Sequence, residues 1–327
     1  MITVNSDYHI SKVFTSRKAD VLEKLPTTQI VDNINEILND DSIDLVVICS
    51  PNHTHYEQAK MSLNAGKHVV VEKPFVTSSK EGRELIELAN KQKLILTVFH
   101  NRRWDCDFLT IKKLIKDEAL GEIKQFESHF DRWRPTIRSN RWKEVPGNGS
   151  GIFFDLGVHL IDQCIELFGW PQAVFADLED QKNNQGVNDY FHIILKYDKL
   201  RAILHGSSYS LCKMRFKVLG DKANYYKEGM DPQEERLSGG VSPVLESFGV
   251  EDDKNSGKLF YNSDTEIKER VLLSVSGEYR HFYTQLALAI KSNDPNEAPV
   301  YPQDALKTMK IMELATLSHK EGAWVAT

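Results

Sequence analysis

The sequence predicts two domains: an α/β domain with a doubly wound parallel sheet, followed by an α+β domain with a large, mostly antiparallel sheet. Its 327 residues suit two domains at about 150 residues each. Short apolar strands alternate with helices over the first 120 residues, and repeated strand–helix units form doubly wound sheets. Beyond residue 120 the strand candidates alternate apolar and polar residues, which is typical of antiparallel strands with one solvated face.

The elements of the first domain follow from periodicity. Residues 43–49 form a continuous β-rich apolar run, which suits a strand buried on both faces. The helix over 55–65 is expected to end at Gly66, because glycine is common just beyond a helix C-terminus. In chain order, strands are predicted at 11–15, 43–49, 68–71 and 94–99, and helices at 31–39, 55–65 and 78–91.

The second domain is predicted to contain strands at 123–130, 191–197, 202–209 and 215–219, and helices at 158–168, 279–291 and 304–320. Residues 227–253 carry eight acidic and two basic side chains, a run that usually marks an exposed loop. We place the domains at 1–120 and 121–300, with a C-terminal helix at 301–327 that packs back on the first domain.

Composition argues against several classes of partner. The net charge is −6 and the isoelectric point is near 6.0, whereas nucleic-acid binders usually carry a basic excess. No apolar run approaches the roughly 20 residues that cross a bilayer, and the N-terminus lacks the pattern of a secretory signal. The four cysteines form no CxxC pair, which predicts reduced cysteines in a cytoplasmic protein and no cysteine-based metal site. We expect a small-molecule ligand, without nucleic acid, membrane or metal.

Lys73 is the first candidate for chemistry, because the segment Glu72-Lys73-Pro74 follows a predicted strand. Ligands sit at the carboxyl ends of strands in open α/β sheets. A lysine there can hydrogen-bond a reacting hydroxyl or carbonyl, and burial tunes its proton affinity. The tripeptide alone favours the alternative, a surface lysine beside a turn proline.

Asp155 and His159 are four residues apart and would share one face of a helix. Histidine exchanges protons near neutral pH, and a neighbouring carboxylate fixes its tautomer or supplies charge. Asp162 could orient the same imidazole, and Gly157 would let a substrate or cofactor ring approach closely. The alternative is an N-cap aspartate with a satisfied core histidine. The basic segment 132–143 could line a pocket for a polar or anionic substrate, or form a solvated loop.

Three segments in a fixed order carry a resemblance to a known family: CSPNHTHYEQAKMSLNAGKHVVVEKPFV at 49–76, VFHNRRWDCDF at 98–108 and GNGSGIFFDLGVHLIDQCIELFG at 147–169. The sequence resembles the Gfo/Idh/MocA family of NAD(P)-dependent oxidoreductases. The resemblance implies a Rossmann-like first domain and hydride transfer between a nicotinamide cofactor and a sugar, polyol or related hydroxy or keto compound. It also implies catalytic roles for Lys73, Asp155 and His159, a cis bond before Pro74, and a homodimer or homotetramer.

The resemblance further implies a cofactor site at the strand ends. It places the turn from Ser50 beside the ribose and pyrophosphate, although helix capping would also explain the polar residues of this turn. An acid after the second family strand would bond the ribose 2′-hydroxyl, whereas Ser16 and Arg17 suit a 2′-phosphate and favour NADP over NAD. The implied cofactor contacts are Ser16, Arg17, Ser50, Pro51, Asn52, His55, Glu72, Lys73, Asn101 and Arg102.

The start of the sequence departs from the family pattern. A dinucleotide-binding fold normally opens with a strand, a G-x-G-x-x-G loop and a helix, yet the first glycine here is Gly66. We therefore expect the first strand and the phosphate loop to be missing from this sequence, so that the parallel sheet is incomplete at its start.

Two alternatives to a dehydrogenase remain open. A non-catalytic sensor or scaffold of the same fold would bind a sugar or nucleotide, and the missing phosphate loop favours it. A metal-dependent hydrolase would combine His53 and His55 with Asp155 and His159 as mixed His/carboxylate ligands. The hydrolase hypothesis leaves the Glu72-Lys73-Pro74 segment without a role.

Overall fold

The computed structural model describes residues 1–138, 142–147, 149–263 and 265–327. Its helices are α1 (Lys18–Lys24), α2 (Asn35–Leu38), α3 (His55–Asn64), α4 (Ser79–Gln92), α5 (Cys106–Lys116), α6 (Val158–Phe168), α7 (Gln233–Ser238), α8 (Arg280–Ser292) and α9 (Pro302–Glu321). Its strands are β1 (Lys12–Phe14), β2 (Gln29–Val31), β3 (Leu45–Ile48), β4 (His68–Val71), β5 (Leu96–Val98), β6 (Ile123–His129), β7 (Ala173–Glu179), β8 (Tyr190–Lys196), β9 (Arg201–Ser207), β10 (Met214–Gly220), β11 (Ala223–Glu228), β12 (Gly257–Ser263), β13 (Glu266–Leu272) and β14 (Val325–Ala326). Among these residues, no helix is both long enough and apolar enough to cross a membrane.

The first domain is Rossmann-like, with parallel strands connected through helices. Strands β3, β4 and β5 form one parallel sheet, and β1 pairs with β2 in a separate parallel sheet. The β4 side chains Val69, Val70 and Val71 are fully buried, as expected for a strand covered on both faces. The prediction that one strand and a phosphate loop are missing from the sequence stays a prediction.

The helix predicted over 31–39 is wrong in its first half. Residues Gln29–Val31 form β2, and only Asn35–Leu38 are helical. Val31 is buried and pairs with Phe14 of β1. The β-branched Ile30 and Val31 suit a pleated strand better than a helix, so sheet pairing takes over where periodicity suggested a helix.

Local sequence fixes the ends of two helices near the site. Helix α3 ends one residue before Ala65, and Gly66 follows with a φ of +75°, which glycine adopts without strain. Helix α4 begins with a capping box, in which Ser78 Oγ accepts from Glu81 N and the Glu81 carboxylate accepts from Ser78 N. Both helices follow their predicted ranges within one or two residues.

The second domain is built on one nine-stranded sheet with the order β13-β12-β11-β10-β6-β9-β8-β7-β14. Neighbouring strands in this sheet pair antiparallel, except β6 and β9, which run parallel. Burial alternates along each central strand: Phe126, Ile193 and Leu204 are fully buried in the core beneath α6 and α9. The alternate residues of these strands lie on the opposite side of the sheet, which is open, and we call this side the outer face of the sheet.

The segment 227–253, predicted as an exposed loop, is a packed strap that contains the end of β11 and helix α7. Gln233 is fully buried, and its side-chain amide donates to the Trp104 carbonyl at 3.0 Å. The Asp231 carboxylate accepts from Cys106 N at 2.7 Å. The prediction is correct for exposure, since six of the eight acidic residues are exposed. It is wrong in calling the whole segment a loop, because helix α7 lies within it and Asp231 and Glu251 are buried.

Helix α9 contacts both halves of the molecule. It packs on β7 and α6 of the second domain and on α4 and β5 of the first. At one of these contacts Glu313 Oε1 accepts from Ser79 N at 2.6 Å. This contact agrees with a C-terminal helix that returns to the first domain, whereas the boundaries at residues 120 and 300 stay predictions.

A buried ion pair ties the segment after β5 to α6. Arg103 donates from Nε and Nη2 to the two carboxylate oxygens of Asp162, at 2.9 and 2.8 Å, and from Nη1 to Glu166 at 2.8 Å. The Asp162 side chain is 2% exposed and that of Glu166 is 25% exposed. Such a bidentate pair fixes orientation as well as distance.

We predict that Asp162→Asn lowers the free energy of unfolding by about 3–5 kcal/mol, because it leaves a buried guanidinium without its main counter-charge. The matched control is Glu166→Gln, because Glu166 lies on the same helix and accepts from the same guanidinium. This substitution should lower the free energy of unfolding by about 0–1 kcal/mol because that pair is partly solvated. Urea unfolding followed by circular dichroism measures both. Equal losses in the two variants would show that burial does not set the strength of this contact.

Candidate active site

A cavity of about 700 Å³ opens at the carboxyl ends of β4 and β5, where they face α6. The catalytic residues predicted from sequence all line it, together with part of the predicted cofactor set: Glu72, Lys73, Asn101, Arg102, Asp155 and His159. The structure therefore brings together residues that are up to 87 positions apart in the sequence. Carboxyl ends of parallel strands are the usual place for ligands in such sheets.

Lys73 and Lys143 both contact Asp155 in this cavity. Its Nζ donates to the Asp155 carbonyl at 2.7 Å and to Asp155 Oδ1 at 3.0 Å, and Lys143 Nζ donates to the same Oδ1 at 2.5 Å. The Lys73 side chain is only 13% exposed, so the alternative of a surface lysine is wrong. The Lys73–Pro74 peptide bond is cis, as the resemblance implied.

Burial and paired charges shift the protonation of these groups in opposite directions. Burial lowers the pKa of Lys73 by more than Asp155 raises it. For Asp155, burial alone would raise the pKa, but Lys73 and Lys143 hold it well below its usual range. Burial also raises the pKa of the neighbouring Glu72. The result is an ionised aspartate beside a lysine whose proton is easier to remove than in water.

Asp155 lies in a π-helical turn, Phe153–Gly157, which leads directly into α6. Single π turns occur frequently at functional sites, and this one presents Asp155 to the same cavity as His159. The role predicted for Gly157 is wrong. A Cβ on Gly157 would lie 2.8 Å from the buried ring of Phe153, so internal packing of the π turn requires glycine there.

His159 is buried at the base of the cavity, and its Nδ1 has no hydrogen-bond partner among the described residues. Burial lowers the pKa of His159 well below its ordinary value, and the positive charges of Lys73 and Arg102 lower it further. The ring is therefore neutral at neutral pH. The predicted orienting partners are wrong: Asp162 bonds Arg103, and Asp155 bonds Lys73 and Lys143.

The turn after β3 lies outside the residues that line this cavity. Ser50 Oγ bonds the Thr54 hydroxyl at 2.6 Å and Gln58 at 2.7 Å, Pro51 is exposed, and the Asn52 side chain donates to the Gly149 carbonyl at 3.1 Å. The His55 ring is fully buried. Its Nδ1 and Nε2 each lie 2.9 Å from a backbone carbonyl oxygen, of Pro74 and Ser50.

These contacts give His55 a structural function, since it joins the turn after β3 to the turn after β4. Neither ring nitrogen remains free for a ligand, so the metal-ligand hypothesis for His55 has no support in the geometry. Among the described residues, His53 and His55 also form no metal-binding group with Asp155 and His159.

The remaining predicted contacts lie at two other strand ends. Ser16 and Arg17 follow β1 and are exposed, away from the cavity lining. Asn101 and Arg102 follow β5 and line the cavity. Arg102 donates to Asp105 at 3.1 Å and to Glu234, and its guanidinium stacks 4.7 Å from the centre of the Phe130 ring.

Sequence reasoning missed several cavity residues. Glu234, from the strap, accepts a hydrogen bond from Arg102, and Asp189 and Ser208 also line the cavity. Arg132 and Arg138 of the basic segment line the cavity, whereas residues 139–141 and the Trp142 side chain lie outside the described residues. The local acidic run concealed Glu234, and Asp189 had no motif around it.

Comparison with known proteins agrees with this geometry. A profile described as "Oxidoreductase family, NAD-binding Rossmann fold" matches residues 3–100, and one described as "Oxidoreductase family, C-terminal alpha/beta domain" matches residues 112–327. The chain belongs to the Gfo/Idh/MocA oxidoreductase family. The second profile alone covers most of the chain, and the two meet near the segment that carries Asn101 and Arg102.

Relatives of this family member match it along nearly its whole length. The Escherichia coli protein named "Uncharacterized oxidoreductase YdgJ" is 42% identical, over 96% of this chain and 90% of its own. The Bacillus subtilis protein named "scyllo-inositol 2-dehydrogenase (NADP(+)) IolW" is 38% identical, over 98% and 89%. The solved structure of the putative oxidoreductase yvaA from Bacillus subtilis superimposes with a TM-score of 0.95 at 37% identity, covering 100% of this chain and 92% of that one.

We predict that Asp155→Asn lowers the pKa of Lys73 by about 1–3 pH units, because the substitution removes the negative charge that favours the ammonium form. The control is Asp189→Asn in the same cavity, because Asp189 accepts from Gln181 N and Lys182 N instead of from a lysine side chain. Nuclear magnetic resonance titration of lysine labelled at Nζ measures the shift. If the pKa of Lys73 is unchanged in Asp155→Asn, the Asp155 carboxylate does not control the protonation of Lys73.

Proposed function

We propose that the chain is an NAD(P)-dependent dehydrogenase that acts on a CH–OH group of a sugar, a polyol or a related hydroxy or keto compound. The observation that carries this proposal is the buried Lys73–Asp155 pair at the carboxyl end of β4, in one cavity with the neutral His159. Family membership and the printed name of the relative IolW support the same reaction class.

The residues of the cavity suit proton transfer at a hydroxyl. Lys73 donates a hydrogen bond to the substrate oxygen and, with its lowered pKa, can give or take the proton. His159 has an unused Nδ1 and can exchange the same proton. Asp155 keeps the lysine in place and balances its charge. A nicotinamide cofactor supplies the hydride acceptor or donor when it is bound.

The chain offers positions for that cofactor after strands β5, β3 and β1. Asn101 and Arg102 follow β5. The Ser50–His55 turn follows β3 and leads into the ten-residue helix α3, whose N-terminus favours a phosphate. We propose that Ser16 and Arg17, exposed after β1, meet a 2′-phosphate, so that NADP is preferred over NAD.

We further propose a homodimer or homotetramer that associates through the outer face of the sheet. On β13, Ile267 and Val271 are 78% and 58% exposed, and their strand partners place both on this face. The four unpaired cysteines support a cytoplasmic location.

We predict that Lys73→Met lowers kcat by about 10²–10⁴-fold, the usual contribution of a positioned acid or base, while the Kd of the nucleotide changes far less. The control is Lys80→Met, an exposed lysine on α4. Fluorescence titration with NADPH and NADH measures binding. Initial rates with inositol stereoisomers and hexoses measure turnover. If the folded chain binds neither nucleotide, the dehydrogenase proposal fails for this chain and a sensor or scaffold becomes the better explanation.

We predict that Arg17→Ala raises the Kd of NADPH about 10-fold and leaves that of NADH unchanged, since a charged hydrogen bond is worth about 1.5–3 kcal/mol. The matched control is Lys24→Ala at the end of α1, which follows the same strand. The same fluorescence titration measures the Kd of NADPH and of NADH. Equal weakening of both nucleotides in Arg17→Ala would contradict a 2′-phosphate contact.

A further inference from the structure

A cluster of ligating side chains lies on the outer face of the sheet, away from the chemistry described above. His129 ends β6, His205 lies beside it on β9, and Asp131 follows two residues beyond His129. One ligand atom from each of these three side chains lies within 4.8 Å of the others. No other group of three His, Cys, Asp or Glu side chains converges in this way among residues 1–138, 142–147, 149–263 and 265–327.

The distances within the cluster suit a divalent ion. The Nδ1 atoms of His129 and His205 lie 3.5 and 3.0 Å from the two oxygens of the Asp131 carboxylate. Ligand atoms around a tetrahedral zinc ion, at about 2.0–2.1 Å from the metal, lie roughly 3.4 Å apart. Nδ1 of His205 has no hydrogen-bond partner among the described residues, so this nitrogen is available as a ligand atom.

The groups around the cluster complete a metal-binding arrangement. The outer nitrogen of His129, Nε2, lies 3.4 Å from Glu127 Oε2, and Lys217 donates to the same carboxylate at 2.9 Å. A carboxylate on the second nitrogen of a ligating histidine fixes its tautomer and raises its basicity. Asp131 Oδ1 also accepts from Ser207 N at 3.0 Å, so the carboxylate has a fixed orientation.

Access also favours a cation. The Asp131 side chain is 5% exposed, whereas those of His129 and His205 are 18% and 20% exposed, which leaves an entry from solvent in a single chain, before association through the outer face covers it.

We propose that His129, Asp131 and His205 bind one divalent transition-metal ion of the zinc class, with a water molecule in the remaining position. Two imidazoles and a carboxylate are a donor set that such ions accept. The site would hold the ends of β6 and β9 together. Arg132, the next residue after Asp131, and Ser207 both line the cavity, so the ion would fix one cavity wall without touching the reacting groups.

The test uses the full chain without a histidine tag, treated with EDTA and dialysed, then titrated calorimetrically with ZnCl₂. We expect one zinc per chain. Cobalt(II), used as a spectroscopic probe, should give the visible absorption of a tetrahedral or five-coordinate site. Asp131→Asn and His205→Asn should abolish binding. His319→Asn is the matched control, since His319 and Asp177 lie 3.7 Å apart and no third ligand joins them among the described residues.

Loss of a ligand can disturb the sheet, so a substitution outside the ligand set provides a second test. Glu127→Gln should weaken zinc binding by about 10–100-fold while circular dichroism shows an unchanged fold. Equal affinity in the unsubstituted chain, Asp131→Asn and Glu127→Gln would overturn the proposal, as would the absence of binding to the folded chain. Neither result bears on nucleotide binding, so the dehydrogenase proposal is tested separately.

Discussion

The candidate active site depends on the buried contact between Arg103 and Asp162. Arg103 follows the last strand of the first domain, and Asp162 lies on the helix that carries His159. A bidentate guanidinium–carboxylate pair admits little rotation or sliding. It therefore sets where Arg102 stands relative to His159. The Lys73–Asp155 pair makes a second charged contact between the same two parts of the chain, and this pair lines the cavity itself.

Charge balance in the cavity follows from this arrangement. Lys73 and Lys143 share one carboxylate oxygen of Asp155, and Arg102 is held between Asp105 and Glu234. An unpaired buried charge costs several kcal/mol, and Lys73 and Arg102 each have a carboxylate beside them. His159, with a neutral ring, is the exception that needs no counter-ion. The site can therefore change protonation at one group while its neighbours keep their charge.

The sequence was informative where chemistry and strand ends coincide. Lys73 follows an apolar strand, and Asp155 and His159 lie in a recognisable segment, so the predicted residues do share one cavity. The partners were not predictable, because Asp162 and Glu234 bond arginines that are 59 and 132 positions away. The same limit explains the buried Asp231 of the strap and the first half of the helix predicted at 31–39. Both are determined by tertiary packing, which overrides local periodicity.

The π turn at Phe153–Gly157 means that the number of residues in this segment, as well as their identity, determines where Asp155 lies. A π turn holds one residue more than an α turn, so it shifts the phase of every residue before it relative to α6. Deleting one residue here would restore a regular helix and rotate Asp155 away from Lys73, even if every side chain of the site were retained. Homologous chains that conserve the lysine and the histidine but differ by one residue in this turn would therefore have lost the charge pair.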